Sequence, residues 1–211
     1  PSAISRSIPA TLLISAIGIV PDVRSCVTMD FKEPGNLILL IGSTRDELGG
    51  SLWAETQGHE GGNVPGVVPA AGQAIFQAVH QAISQGLVRS CHDLSEGGLA
   101  VALAEMSLAG GLGASVSLRD VVCDDDAAND RTLLFSESPT RFLLEIRPEK
   151  FRAVAGLIGA LPLSRLGEVT GAEGSPEPDA GVMTIKGLNG NEVIRAKVST
   201  MKKSWQDPLK W

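Results

Sequence analysis

The stretch from Ser90 to Leu99 limits what this chain can fold into more than any other part of its 211 residues. It reads Ser-Cys-His-Asp-Leu-Ser-Glu-Gly-Gly-Leu, so an apolar segment ends, polar residues follow, and a second apolar segment begins after a glycine pair. The pattern predicts a strand, a polar turn and a helix in that order. Because ligands in folds of mixed strands and helices bind at the carboxyl ends of strands, the turn is a candidate site.

The rest of the chain also alternates between strand and helix patterns. Apolar residues from Ala71 to Ile83 recur at three- and four-residue spacing, which predicts a buried helix face ending at Gly86. Further helices are expected over residues 99–110, from Pro148 to about residue 160, and over residues 198–206. Strands are expected over residues 10–20, 27–29, 37–41, 87–91, 114–118, 142–146 and 163–169, followed by a hairpin of residues 182–185 and 192–194.

The order of these elements predicts an α+β fold (mixed α/β) in two parts. Residues 1–44 hold strands without a preceding helix, and we expect them to be the end of a small β-rich domain. Residues 58–66 contain four glycines, a proline and an asparagine, which is typical of a loop or boundary. Residues 45–211 are expected to form a larger α/β domain, a mixed sheet flanked by helices.

Composition excludes several classes of partner and location. The net charge of −6 argues against nucleic acid, whose affinity for proteins comes mainly from clustered Lys and Arg. No apolar run reaches the length of a membrane span. Cys26, Cys91 and Cys123 are widely spaced, with no Cys-x-x-Cys pair, so neither a disulfide framework nor a zinc site is indicated. We therefore expect a cytoplasmic protein.

The turn after residue 92 carries groups suited to magnesium and phosphate. Asp93 offers the oxygen ligand that magnesium takes alongside substrate phosphates, and Ser95 offers a hydroxyl to a phosphate oxygen. Gly97 and Gly98 lack side chains, so a phosphate could approach the helix N-terminus. Two structural alternatives remain open: Asp93 with Glu96 has the spacing of a capping box, and the glycine pair could serve close helix–sheet packing.

A family resemblance covers nearly the whole chain in collinear order. Residues 91–118 (Cys-His-Asp-Leu-Ser-Glu-Gly-Gly-Leu-Ala-Val-Ala-Leu-Ala-Glu-Met, then Ala-Gly-Gly-Leu-Gly-Ala) are similar to a signature in the second half of the phosphoribosylformylglycinamidine synthase family, synthetase subunit. Four other segments resemble the same family: Val-Thr-Met-Asp-Phe-Lys-Glu-Pro-Gly-Asn-Leu-Ile-Leu-Leu-Ile-Gly (27–42), Leu-Gly-Gly-Ser (48–51), Phe-Ser-Glu-Ser with Arg-Phe (135–142) and Gly-Glu-Val-Thr-Gly (167–171).

The resemblance implies a fold and a reaction. It implies two fused units that are each similar to aminoimidazole ribonucleotide synthetase. Each unit has a small β-rich domain and a larger α/β domain. This chain would be the end of the second small domain followed by the whole second large domain. The implied reaction uses ATP and magnesium, with glutamine as the ammonia donor, to convert formylglycinamide ribonucleotide into formylglycinamidine ribonucleotide.

Site roles follow from the resemblance residue by residue. Asp93 and Ser95 correspond to the Asp and Ser that contact magnesium and ATP in the family. Gly97 and Gly98 are expected to bind ATP beside them, on the backbone argument given above. Ser136, Glu137 and Ser138 resemble the counterpart of a substrate-contacting segment, with a strand-capping loop as an equally weighted alternative. Residues 124–126 are expected to form a solvated acidic loop, with a cation contact left open.

No catalytic residue is assigned within this chain, because the resemblance implies that a missing N-terminal half supplies it. Expected partners are that half, a glutaminase domain or subunit, a small bridging subunit and, for the isolated chain, a second copy in a homodimer. Two alternatives stay open. One is a non-catalytic module that binds nucleotide for structure or assembly. The other is a same-fold relative such as aminoimidazole ribonucleotide synthetase, selenophosphate synthetase, thiamine-phosphate kinase or a hydrogenase maturation protein.

Overall fold

A seven-stranded mixed sheet forms the centre of the molecule. The computed structural model describes residues 13–124, 129–171 and 181–209. Its strand order is β2-β4-β1-β5-β3-β6-β7, and every neighbouring pair is antiparallel except β3 and β6. The strands are β1 (Leu37–Ile41), β2 (Ser90–Asp93), β3 (Gly113–Ser117), β4 (Phe142–Ile146), β5 (Leu163–Thr170), β6 (Val182–Lys186) and β7 (Glu192–Lys197).

Helices cover both faces of this sheet. Helices α2 and α5 pack on one face, whereas α3, α4 and residues from α6 pack on the other. The expected mixed sheet flanked by helices is thereby confirmed. No helix within the described ranges is both long and apolar enough to cross a bilayer. The helices are α1 (Leu52–Thr56), α2 (Pro69–Ser84), α3 (Gly98–Gly110), α4 (Asp130–Phe135), α5 (Phe151–Ile158) and α6 (Val198–Gln206).

Strand β1 lies at the middle of the sheet and is apolar throughout. Its five residues are all buried. Leu39 belongs to the core cluster on the α2 face, and Leu40 to the cluster on the α3 face. A strand covered by helices on both faces needs apolar residues at every position, which explains the uninterrupted Leu-Ile-Leu-Leu-Ile run.

The assignment of β1 to a separate β-rich domain was wrong. Leu37–Ile41 pairs with β4 on one side and with β5 on the other, so the strand belongs to the main sheet. The strand expected over residues 10–20 is also wrong where the structure describes it, because residues 13–20 are irregular and exposed. Residues 27–29 are likewise not a strand. That the part of residues 1–44 before β1 belongs to a neighbouring small domain stays a prediction.

Two short helices were not anticipated. Helix α1 has five residues, too few to show a helical repeat. Helix α4 begins after the acidic run of residues 124–126, and Asn129 at its N-cap accepts a hydrogen bond from the backbone N–H of Thr132 at 3.0 Å. Asp125 and Asp126 lie outside the described residues, so the expectation for them stays a prediction.

The sheet brings the ends of β1 and β2 to the start of β4. Phe142, the first residue of β4, pairs with Ile41 on one side and with Asp93 on the other. The segments that follow β1 and β2 and the segment that precedes β4 therefore leave the sheet at one edge.

Candidate functional site

Three loops meet at this edge of the sheet. They are residues 42–51 after β1, residues 94–97 after β2 and residues 136–141 before β4. The backbone N–H of Leu94 donates to the carbonyl of Arg141 at 2.9 Å, and that of Arg45 donates to Ser138 Oγ at 2.9 Å. A Cβ at Gly42 would lie 2.5 Å from the carbonyl oxygen of Thr140, so the first and third loops touch through their backbones.

Asp93 and Ser95 lie on the exposed side of these loops. The Asp93 side chain is 66% exposed, and its Oδ1 is 3.5 Å from Nδ1 of His92. Ser95 is also exposed. An accessible carboxylate at a strand end fits a magnesium ion that takes most of its remaining ligands from phosphates and water. Across the described ranges no three His, Cys, Asp or Glu side chains form a metal-binding group, so this part of the chain builds no all-protein cage.

The capping-box alternative for Asp93 and Glu96 is wrong. Helix α3 begins at Gly98. Its N-cap is Gly97, which has a φ of 79° and no side chain that could accept a hydrogen bond from the helix. The N–H of Gly97 instead donates to Oε1 of Glu137 at 2.8 Å. The carboxylate that serves the start of α3 therefore comes from a loop 40 residues away along the chain.

The glycine pair serves close packing. A Cβ at Gly98 would lie 2.5 Å from the carbonyl oxygen of Ser136, and its φ of 63° also favours glycine. The N–H of Gly98 donates to the carbonyl of Ser95 at 3.1 Å. Both glycine N–H groups are thus bonded within the chain, and the exposed side chains of the turn are those of Asp93, Ser95 and Glu96.

The predicted substrate segment is mostly buried. Ser136 Oγ donates to the carbonyl of Arg45 at 2.6 Å, and Ser138 Oγ accepts the Arg45 N–H described above. Both serines are fully buried, whereas Glu137 is half-buried. The two hydroxyls therefore bond to the loop of residues 42–51, and they could affect substrate binding only through the position of that loop.

Arg141 is a residue of this region that the sequence did not single out. It is 1% exposed, and its guanidinium donates to the carbonyls of Ser136 and Ser138 and to Thr44 Oγ1. Burial lowers the pKa of Arg141 to about 10, against a smaller opposing effect of the nearby Glu47 carboxylate. The sequence feature that could have pointed to Arg141 is its place directly before an apolar strand. A charged side chain that is buried at such a position needs several hydrogen-bond acceptors.

A cavity of about 240 Å³ lies beside these loops, at the start of helix α2. Arg45, Gly72, Asp124 and Thr140 are among its lining residues. Asp93 and Ser95 do not line it, so the structure separates this cavity from the predicted magnesium and ATP contacts.

Fold and sequence together define the class. The chain belongs to the family described as AIR synthase related protein, C-terminal domain, whose model matches residues 33–176. The matched region includes β1, which agrees with its place in the main sheet. All three loops at the candidate site lie within it.

The relatives within this class include one particular enzyme. The chain is 35% identical over 206 residues to phosphoribosylformylglycinamidine synthase subunit PurL of Alkaliphilus metalliredigens, covering 96% of this chain and 26% of that subunit. It is 41% identical over 172 residues to PurL of Thermobifida fusca, covering 80% and 21%. The chain thus spans about a quarter of the curated relatives it matches.

Solved structures share the fold. The structure of Thermotoga maritima PurL complexed with ATP superimposes with a TM-score of 0.67 at 23% identity, covering 85% of this chain and 28% of that chain. Hydrogenase maturation protein HypE in complex with ATP superimposes with a TM-score of 0.58 at 16% identity, covering 83% and 54%. At these identities the superpositions establish that the proteins share a common fold.

Proposed function

We propose that this chain supplies one wall of the ATP site of a phosphoribosylformylglycinamidine synthase. The observation that carries the proposal is the exposed pair Asp93 and Ser95 at the end of β2, in a chain 35% identical to a PurL subunit over 96% of its length. The enzyme that we propose is an ATP-dependent carbon–nitrogen ligase of purine biosynthesis.

The reaction proposed for the whole enzyme has two stages. ATP activates the formamide oxygen of formylglycinamide ribonucleotide, and ammonia released from glutamine then displaces phosphate. The products are formylglycinamidine ribonucleotide, ADP and phosphate.

Within this chain, Asp93 would hold magnesium, and Ser95 would donate its hydroxyl to a phosphate oxygen of ATP. Gly97 and Gly98 would form the backbone wall of the turn beside them. Bound magnesium would offset charge on the phosphates and fix their position, which is the usual source of phosphoryl-transfer catalysis. The buried Ser136 and Ser138 would support the loop of residues 42–51 rather than touch the substrate through their hydroxyls.

The proposed partners are an N-terminal half that carries the catalytic residues, a glutaminase domain or subunit and a small bridging subunit, all in the cytoplasm. Support comes from the quarter of the PurL length that this chain spans. The isolated chain should accordingly turn over no formylglycinamide ribonucleotide with ATP and ammonia.

A chimaera tests the proposal. This chain replaces the region that it matches in the Alkaliphilus metalliredigens subunit, and circular dichroism and thermal melting establish that the product is folded. Turnover of formylglycinamide ribonucleotide with ATP and ammonia is expected from the chimaera and not from the isolated chain. A folded chimaera without turnover, beside an active parent subunit, would overturn the proposal.

A structural nucleotide-binding or assembly module is the second candidate. The N–H groups of Gly97 and Gly98 are hydrogen-bonded within the chain. The hydroxyls of Ser136 and Ser138 are hydrogen-bonded within the chain as well. Few groups are then left for a reacting substrate, which favours this candidate. Under this alternative, nucleotide bound at Asp93 stays in place through many turnovers of the chimaera. Labelled ADP that exchanges at the turnover rate would exclude it.

A further inference from the structure

One oxygen of Glu137 joins two helices that are distant along the chain. Its Oε1 accepts the N–H of Leu52, the first residue of α1, at 2.8 Å. The same oxygen accepts the N–H of Gly97, the N-cap of α3, at 2.8 Å. Helix N-termini carry partial positive charge, and α3 has neither a capping side chain of its own nor an acid in its first turn. Glu137 supplies both.

The loop that carries Glu137 is itself held in place. Arg141 donates to the carbonyls on either side of Glu137, those of Ser136 and Ser138. The N–H of Glu137 also lies 3.5 Å from the carbonyl oxygen of Glu47. A carboxylate on a backbone anchored in this way can hold other segments in register, because its own position is already restricted.

The two segments that Glu137 holds both border the candidate site. Gly97 follows Ser95 by two residues and Asp93 by four, within the turn after β2. Leu52 follows the Gly-Gly-Ser turn of residues 49–51. Gly50 and Gly97 have φ of 73° and 79°, so each turn adopts a left-handed conformation close to the bonded N–H.

We propose that Glu137 is a positioning residue: its carboxylate fixes the turn of residues 93–98 against the turn of residues 49–52 and does not itself contact the nucleotide. The role that follows for the site rests on the proposed function, because the turn is the one that would present Asp93 and Ser95 to magnesium–ATP. Placement of such groups to within a fraction of an ångström is a common requirement for phosphoryl transfer.

Two variants separate positioning from direct contact. Glu137→Gln keeps an oxygen that can accept both N–H groups while removing the charge, whereas Glu137→Ala removes the acceptor. Hydrogen–deuterium exchange of the Gly97 and Leu52 amides, read by NMR in the purified chain, should be near wild type in the Gln variant and at least about tenfold faster in the Ala variant. Exchange that stays at the wild-type rate in Glu137→Ala would overturn the proposal.

The second readout is the KM for magnesium–ATP in the chimaera. Glu137→Gln should stay within about twofold of wild type, and Glu137→Ala should raise KM about tenfold. A matched control is Asp130→Ala, which removes a carboxylate oxygen that accepts the N–H of Leu188 at 2.7 Å, outside the three loops of the site. This control should lower the melting temperature and leave KM unchanged.

The outcomes are distinct from those for the proposed function. If Glu137→Gln raises KM as much as Glu137→Ala does, the negative charge contacts the ligand and the positioning role is refuted. If the wild-type chimaera is folded and inactive, the proposed function fails, and amide exchange alone then decides whether Glu137 fixes the two turns.

Discussion

At the scale of single residues, the surroundings of Asp93 distinguish a role as a metal ligand from a structural role. It ends a strand, it is largely exposed, and the helix that follows is capped from elsewhere. Its position therefore has little influence on folding and leaves its oxygens accessible to a cation.

Asp93→Asn and Asp93→Ala should both change the free energy of unfolding by less than about 0.5 kcal/mol, as is usual for exposed side chains. Both should raise the apparent KM for magnesium–ATP in the chimaera by about tenfold or more, because a charged oxygen ligand is lost. Thermal melting and a magnesium titration of the turnover rate measure the two effects.

Glu96→Gln is the control for Asp93, since it removes another exposed negative charge three residues further on. It should leave the magnesium dependence unchanged. A wild-type magnesium dependence in Asp93→Asn would refute the ligand role, and a loss of about 1 kcal/mol in Asp93→Ala would show that this side chain has a structural role.

The thiol of Cys91 should be almost unreactive. Burial, and then the negative charge of Asp93, raise its pKa to about 12, so little thiolate forms near neutral pH. Because the thiolate is the reactive form, a disulfide reagent at pH 8 should label the exposed Cys26 first and Cys91 at least about a hundredfold more slowly. Mass spectrometry of timed samples gives both rates. Equal rates would contradict the burial of Cys91.

The same shift makes stability depend on pH above neutrality. In the unfolded chain the thiol of Cys91 loses its proton near pH 9.0, whereas in the folded chain it keeps it to about pH 12. Ionisation of the unfolded state then lowers the free energy of unfolding by up to about 1.4 kcal/mol per pH unit between those values. Urea unfolding at pH 8 and pH 10 should show a larger decrease for wild type than for Cys91→Ala.

At the scale of elements, a buried glutamate fastens the segment before β1 to the sheet. Glu145 in β4 is 0% exposed and accepts the backbone N–H groups of Lys32 and Glu33 at 2.8 and 3.0 Å. It also accepts from Asn36 Nδ2 at 2.6 Å and from Ser90 Oγ at 2.9 Å. These bonds join the turn of residues 32–36 and strand β2 to β4.

Glu145→Gln should lower the free energy of unfolding by about 2–3 kcal/mol, because its amide NH₂ faces donors and leaves buried groups unsatisfied. Urea unfolding measures the change. Glu168→Gln is the control, since Glu168 is an exposed glutamate on strand β5 and should change stability by less than about 0.5 kcal/mol. Similar losses in the two variants would mean that the bonds to Glu145 contribute little.

At the scale of the whole molecule, a segment before the sheet carries several exposed apolar side chains. Leu37–Ile41 is paired on both sides, so this apolar strand offers no unpaired edge for self-association. Six of the exposed large apolar side chains lie instead within one short segment before residue 24: Leu13, Ile14, Ile17, Ile19, Val20 and Val23. An exposed apolar segment of this kind favours contact with another protein surface.

The isolated chain is accordingly expected to form a homodimer through residues 13–23. The double variant Ile17→Asp, Ile19→Asp should sediment as a monomer at concentrations of protein where wild type is dimeric. Val64→Asp, Val67→Asp is the control, because these two valines are each 70% exposed on a different loop. Wild-type chain that sediments as a monomer at high micromolar concentration would refute the prediction.

Local patterns determined much of the secondary structure. The repeat from Ala71 to Ile83 predicted α2, the segment from residue 198 to 206 matched α6, and the predicted hairpin matched β6 and β7. Spacing of apolar residues reports which face of an element is buried, and it needs no knowledge of the partner. Helices α1 and α4, with five and six residues, are too short for that signal.

Only the tertiary structure decided where β1 pairs and what holds the turn after β2. An apolar run such as Leu37–Ile41 is compatible with any buried strand, and its neighbours β4 and β5 lie more than 100 residues further along the chain. In the same way, the sequence identified Asp93 and the glycine pair as a turn, but the carboxylate that fixes the turn comes from Glu137. Hydrogen bonds between distant segments depend on three-dimensional register, and a local pattern of residues contains no record of that register.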